Sequence, residues 1–128
     1  MKIFGIGIDI VNINRFKTSL KKNRKIQLRI FSKHELILSK KKFNKDLFLA
    51  KRFAAKEAFS KALGTGISKG INFNEIVVTN NTKGKPKILL SGKSNKIVQK
   101  ILKKKKFKVF ISLSDDKPSA VAIVIIAL

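Results

Sequence analysis

No cysteine, tryptophan or tyrosine occurs among the 128 residues, and histidine and methionine occur once each. Without cysteine, disulfides and thiolate metal centres are excluded, and a reducing compartment, the cytoplasm, is the expected location. Ser112 and Ser114 have no histidine and acid at a diagnostic spacing, so a serine-hydrolase reading is poor, and His34 reads as exposed filler. No apolar run approaches the ~18 residues of a membrane span. The opening Met1-Lys2-Ile3-Phe4-Gly5 has no small-residue cleavage site and reads as a first strand, not a signal peptide. Acid is also scarce: seven Asp and Glu stand against thirty Lys and Arg, a formal charge of +23.

A field of that sign attracts polyanions. The excess is almost all lysine, with arginine only at 15, 24, 29 and 52, and Lys, Ile, Asn and Phe are abundant together. Compositional drift explains that pattern as well as selection for a polyanion does. The lysine runs at 40–42 and 103–106 are its least informative parts. Hydrophobic residues make up 44% of the chain, enough for a folded core. Residues 1–128 show no repeat or linker and read as one domain, which buries roughly two-thirds of its unfolded surface.

Residues 3–11 alternate like a strand. Phe4, Ile6, Ile8 and Ile10 form the expected core face, and Gly5, Gly7, Asp9 and Val11 lie opposite. Two glycines on one strand face suggest open space for a ligand beside Asp9. Asn12 caps a helix starting at Ile13, and residues 25–31 suit a second short helical piece. Ser32-Lys33-His34-Glu35 is a capping box opening a helix to about Lys42. The strongest helix spans 46–63, with Asp46 as N-cap, Ala54, Ala58 and Ala62 in one row, and Gly64 at the left-handed C-terminal position. Strands follow at about 73–79 and 87–90 around a turn-rich Asn80–Pro86, then a helix at 94–106 and strands at 107–113 and 120–127. The order β-α-α-α-β-β-α-β-β, with two antiparallel hairpins, predicts an α+β fold with an antiparallel sheet packed against helices.

Asp9 and Glu57 together make a minimal Mg²⁺ site, since that ion takes one or two carboxylates and completes its shell with water and phosphate. Lys61, one turn after Glu57, suits a phosphate leaving group. Arg52, Lys56 and Ser60 form an adjacent strip of phosphate donors, and Gly64-Thr65-Gly66 allows backbone amides near a ligand. This set suits phosphoryl-type transfer, where positioning and charge do most of the work. Taken singly, each residue also has a structural explanation: Asp9 as a strand-end turn residue, Glu57 and Lys61 as a surface ion pair, Asn80–Pro86 as a plain hairpin loop.

Two segments carry a resemblance. Gly5-Ile6-Gly7-Ile8-Asp9-Ile10-Val11 with Ile13 and Arg15, and Phe48 to Ala58 continuing through Gly66, resemble the holo-acyl-carrier-protein synthases, small bacterial 4′-phosphopantetheinyl transferases. Phe73, Glu75 to Val78, Asn80, Gly84-Lys85-Pro86 and Ile111 to Ser114 extend the likeness along the chain in the right order. The resemblance implies transfer of the phosphopantetheine arm of coenzyme A to a serine of an acidic acyl-carrier protein, for fatty acid biosynthesis, with release of adenosine 3′,5′-bisphosphate. It implies Mg²⁺ on Asp9 and Glu57, with Glu57 as base for the serine proton, directly or through water. Lys61 would support the departing phosphate. Arg52, Phe53, Ser60, Gly64, Gly84, Lys85 and Pro86 would surround coenzyme A, and Arg15 would meet the carrier. Related transferases of twice the length hold two such modules, so a single module implies assembly, as a homotrimer with sites between subunits.

This chain departs from the family twice: Asn12 stands where Glu is frequent, and Phe110 where His commonly precedes the Ser-Leu-Ser strand. An acidic contribution and an imidazole contact near coenzyme A are thereby lost. The alternative suggested by charge alone is a basic nucleic-acid-binding module, but no such motif is present and the Phe residues lie in apolar patterns. A non-catalytic carrier-binding protein is the third reading.

Overall fold

The computed structural model describes residues 1–65 and 70–128. Its elements are β1 (Ile3–Asn12), α1 (Ile13–Lys22), α2 (Arg24–Ile30), α3 (Lys33–Ser39) and α4 (Lys45–Leu63), then β2 (Ile76–Asn80), β3 (Pro86–Leu90), α5 (Gly92–Leu102), β4 (Lys108–Asp116) and β5 (Ser119–Ala127). β1, β5 and β4 form one antiparallel sheet in that order, and β2 and β3 form a separate hairpin. The expected α+β class holds. The short piece after α1 is a full helix, so four helices precede the hairpin. Among the described residues, no helix is long and apolar enough to cross a membrane.

Local signals set most boundaries. Asn12 accepts from Arg15 N, and the Ser32–Glu35 capping box makes both of its bonds. Gly64 ends α4 at φ 81°. Several boundaries move: α3 ends at Ser39 instead of about Lys42, α5 ends at Leu102 instead of 106, and β4 runs on to Asp116. Asn44, not Asp46, caps α4 by accepting from Leu47 N at 3.0 Å, while Asp46 sits in the first turn and meets Lys17. Phe73–Glu75 is a 3-10 turn leading into β2. α5 starts two residues early, at Gly92, because Glu75 receives its first turn: Ser94 Oγ donates to Glu75 Oε1 at 2.7 Å.

The faces of β1 are reversed from the expectation. Ile6, Ile8 and Ile10 are 59%, 59% and 68% exposed, and Gly5 and Gly7 face the core. The space over the glycines is filled by α4: a Cβ on Gly5 would lie 1.9 Å from the Ala62 carbonyl oxygen, and one on Gly7 1.8 Å from that of Ala58. Alternation identifies two faces of a strand but not which one is buried. The alanine row Ala54, Ala58 and Ala62 is buried within this protein's own core, against β1 and β5.

A second lock lies on another side of α4. Lys56 is fully buried, and its Nζ donates to Glu35 Oε1 and Ile30 O at 2.6 Å each and to Phe73 O at 2.9 Å. Glu35 also accepts from Ser32 N and Val78 N. Burial pushes the Lys56 ammonium down to about 8, with Glu35 opposing the shift. This places Lys56 in a structural network and removes it from the strip of phosphate donors read from the sequence.

Gly7→Ala is expected to destabilise the fold at the upper end of the overpacking range, about 3 kcal/mol, by urea denaturation. Lys56→Met strands the buried Glu35 carboxylate and should cost about 3–5 kcal/mol. Adding Glu35→Gln should recover part of that loss by removing the buried charge, although its single amide oxygen can accept from only one of Ser32 N and Val78 N, which meet different carboxylate oxygens. A double variant no more stable than Lys56→Met alone would show that the lost charge pair is not the cause.

Candidate active site

β1 and the middle of α4 bring the two carboxylates together. Residues 58 and 62 of α4 rest on the β1 glycines, so Glu57 and Lys61, one position earlier on the helix, lie beside the strand at Asp9. Lys61 Nζ donates to Asp9 Oδ1 and to the Ile8 carbonyl, each at 3.0 Å. The Lys61 side chain is half exposed, whereas that of Asp9 is largely covered. The Glu57 pKa is raised by partial burial and by the nearby Asp9 charge, while Lys61 opposes the rise.

Asp9 and Glu57 line one groove of about 620 Å³ together with Asn12, Arg15, Phe53 and the apolar ends of α1 and α2. Phe53 stacks on Phe16 at 5.1 Å and meets Phe73 edge-on, which makes a firm apolar wall beside the carboxylates. Exposed Arg15 adds a cation at the rim. Among the described residues, no three His, Cys, Asp or Glu side chains gather to hold a metal. A cation here would therefore take two carboxylates from this chain and its remaining ligands from water or phosphate. Those hard oxygen donors, few in number and electrostatically coupled, fit Mg²⁺.

A second group lies apart. Arg52 is 4% exposed, lies with its guanidinium 3.7 Å from the Phe48 ring centroid, and donates to Asn80 Oδ1 at 2.8 Å. Asn80 Nδ2 in turn donates to the carbonyl of Gly84, so α4 braces the hairpin turn that carries Lys85 and Pro86. Gly84, at φ 84°, allows that turn. Burial lowers the Arg52 pKa to about 10, Glu35 opposing, and its Nε has no hydrogen-bond partner. Arg52, Gly84 and Lys51 border clefts that share no lining residue with the groove of Asp9 and Glu57.

The remaining expected residues are distributed as follows. Ser60 is buried at 1% exposure with its hydroxyl unpaired, so it is covered rather than presented to a ligand. Gly64 lies exposed at the end of α4, and Gly66 falls outside the described residues. Phe110 is 45% exposed on the outer face of the sheet, with Ile125 opposite it. Sequence reasoning missed two connections: Lys51 pairs with Asp115 on β4, and Glu35 with Lys56. The signal available was the placement of Arg52 and Lys56 among the apolar and alanine residues in the middle of α4, where a buried cation needs a partner.

Comparison with known proteins identifies the family. Residues 5–124 match the model of the 4′-phosphopantetheinyl transferase superfamily. A holo-[acyl-carrier-protein] synthase of Pelagibacter ubique is 50% identical over 126 residues, covering 98% of each chain. One from Buchnera aphidicola is 47% identical over 127 residues, again covering 98% of each. Among solved structures, the Neisseria meningitidis holo-[acyl-carrier-protein] synthase superposes with a TM-score of 0.85 at 34% identity, covering 98% of this chain and 99% of that one. The Bacillus anthracis enzyme, solved in complex with CoA (3′,5′-ADP), gives 0.80 at 37% identity, covering 99% of this chain and 98% of that one. With the superfamily model spanning nearly its whole length and relatives this similar end to end, the chain belongs to the 4′-phosphopantetheinyl transferase superfamily.

Proposed function

We propose that residues 1–128 form one holo-acyl-carrier-protein synthase module, which moves the phosphopantetheine arm of coenzyme A to a serine of an acidic apo-carrier protein and releases adenosine 3′,5′-bisphosphate. The observation that carries this reading is the coupled pair Asp9 and Glu57, with Lys61 bonded to Asp9 at 3.0 Å, in a groove bordered by Arg15. Asp9 and Glu57 would hold Mg²⁺, which when bound supplies positive charge against the pyrophosphate. Glu57, directly or through a water, accepts the serine proton. Lys61 meets the charge that develops on the departing phosphate. Arg15 faces the acidic carrier, and Phe53 walls the reacting groups from water.

Assembly follows from the same reading. On the outer face of the sheet, Ile6 and Phe110 flank Ile125, and Ile8 lies opposite Ile123, in one apolar band. Ile6, Ile8 and Ile10 are all more than half exposed in the protomer, an unusual cost for a strand center to carry in water. Burial of that band in a homotrimer relieves it. A neighbouring subunit would also join the Arg52, Gly84, Lys85 and Pro86 side, which holds four of the expected coenzyme A contacts, to the separate carboxylate groove, where Phe53 lies. The absence of cysteine is compatible with a cytoplasmic enzyme.

Apo-carrier protein, coenzyme A and Mg²⁺ should yield a carrier heavier by one phosphopantetheine, read by mass spectrometry. Glu57→Gln should lower kcat at least about a hundredfold with an unchanged melting temperature. Full activity in that variant, or with divalent cations chelated, would sink the mechanism. Ile8→Glu should leave the protomer folded by circular dichroism but convert the assembly to monomers by light scattering and abolish transfer. A wild-type protein that is monomeric and active would overturn the assembly.

A further inference from the structure

We propose that Phe43 is a substrate-contacting residue that stacks on the nucleobase of a phosphorylated purine nucleoside bound in the cleft between α3, α4 and the β2–β3 turn. This rests on the reading that coenzyme A is the donor, and it names a contact for the nucleotide half of that substrate. Phe43 lies on the connection between α3 and α4 and is 108% exposed, the barest large apolar side chain in the described protein. It borders a cleft of about 790 Å³ whose wall also holds Leu38, Lys42, Leu47, Phe48 and Arg52.

Two kinds of chemistry meet there. Lys42 and Arg52 supply positive charge, and Arg52 is nine-tenths buried with an unpartnered Nε. Anions are the ligands such a site accepts. The second kind is flat and apolar. Phe48 is already engaged, with the Arg52 guanidinium at 3.7 Å and the Lys42 ammonium at 5.4 Å from its ring centroid. Phe43 is left as the uncovered ring at the same cleft. A free aromatic ring beside a cluster of cations matches a ligand that joins a planar base to phosphate. The cleft runs on to the Gly84 turn through the shared residues Lys51, Asn80, Gly84 and Leu113, which leaves length for the rest of a nucleotide.

The chain has no tryptophan, so F43W carries a single indole reporter at the proposed contact. Adenosine 3′,5′-bisphosphate should quench its emission saturably, with a Kd near that of the wild type by calorimetry, whereas inorganic pyrophosphate should not quench it. Phe43→Ala should weaken nucleotide binding about tenfold and raise KM for coenzyme A by a similar factor, with kcat moving much less. Phe43→Tyr should restore both. If the wild type binds the nucleotide and performs transfer, but Phe43→Ala binds equally well, this proposal fails and the transferase reading stands. Emission of the F43W indole that is blue-shifted without ligand and varies with protein concentration would assign the side chain to a subunit contact and overturn the proposal. A wild type that neither binds the nucleotide nor performs transfer overturns both.

Discussion

The close approach of α4 to β1 governs the geometry of the acidic pair. The helix backbone rests directly on the strand because Gly5 and Gly7 have no side chains, and the backbone atoms of Ala58 and Ala62 meet them. Any Cβ on those glycines would push the helix outward and carry Glu57 and Lys61 away from Asp9. Small residues on β5 continue the same contact surface, with Ala120 and Ala122 fully buried. The separation of two carboxylates on different elements is therefore set by tight backbone packing, which is far less compliant than a hydrogen bond between long side chains.

α4 also shows how environment divides labour among like residues. Lys56 is sealed inside with Glu35, its ammonium lowered to about 8 and all three hydrogen bonds directed at the protein. Arg52 is buried but spreads over Phe48 and braces Asn80. Lys61 stays half exposed and reaches Asp9. Three cations on one helix thus take three roles, a core lock, a hairpin brace and a site cation. The core lock ties α4 to the ends of α2 and α3 and, through Glu35, to β2. It thereby holds the α2 wall of the groove in which Glu57 stands.

The two faces of the β1-β5-β4 sheet have opposite fates. The inner one is closed by α4, and the outer one exposes a band of isoleucine and phenylalanine. The groove with Asp9 and Glu57 and the clefts bordered by Arg52 and Gly84 occupy separate surfaces of the protomer. The proposed assembly would cover the apolar outer face and bring these two separate surfaces together.

Capping residues, helical periodicity and turn chemistry act over a few positions, and by themselves they determined the α+β order, the Asn12, Ser32 and Gly64 caps and the candidacy of Asp9, Glu57 and Lys61. Family likeness in the two motifs supplied the chemistry. Tertiary structure decided which face of β1 is buried, since alternation is symmetric and only the approach of α4 breaks the tie. It decided that Lys56 is paired with Glu35, 21 residues away, instead of facing phosphate. It also decided that Lys61 pairs with Asp9, 52 residues away, although Glu57 stands one turn before it on the same helix. A charged side chain's role depends on what packs around it, and in this protein those neighbours come from distant parts of the chain.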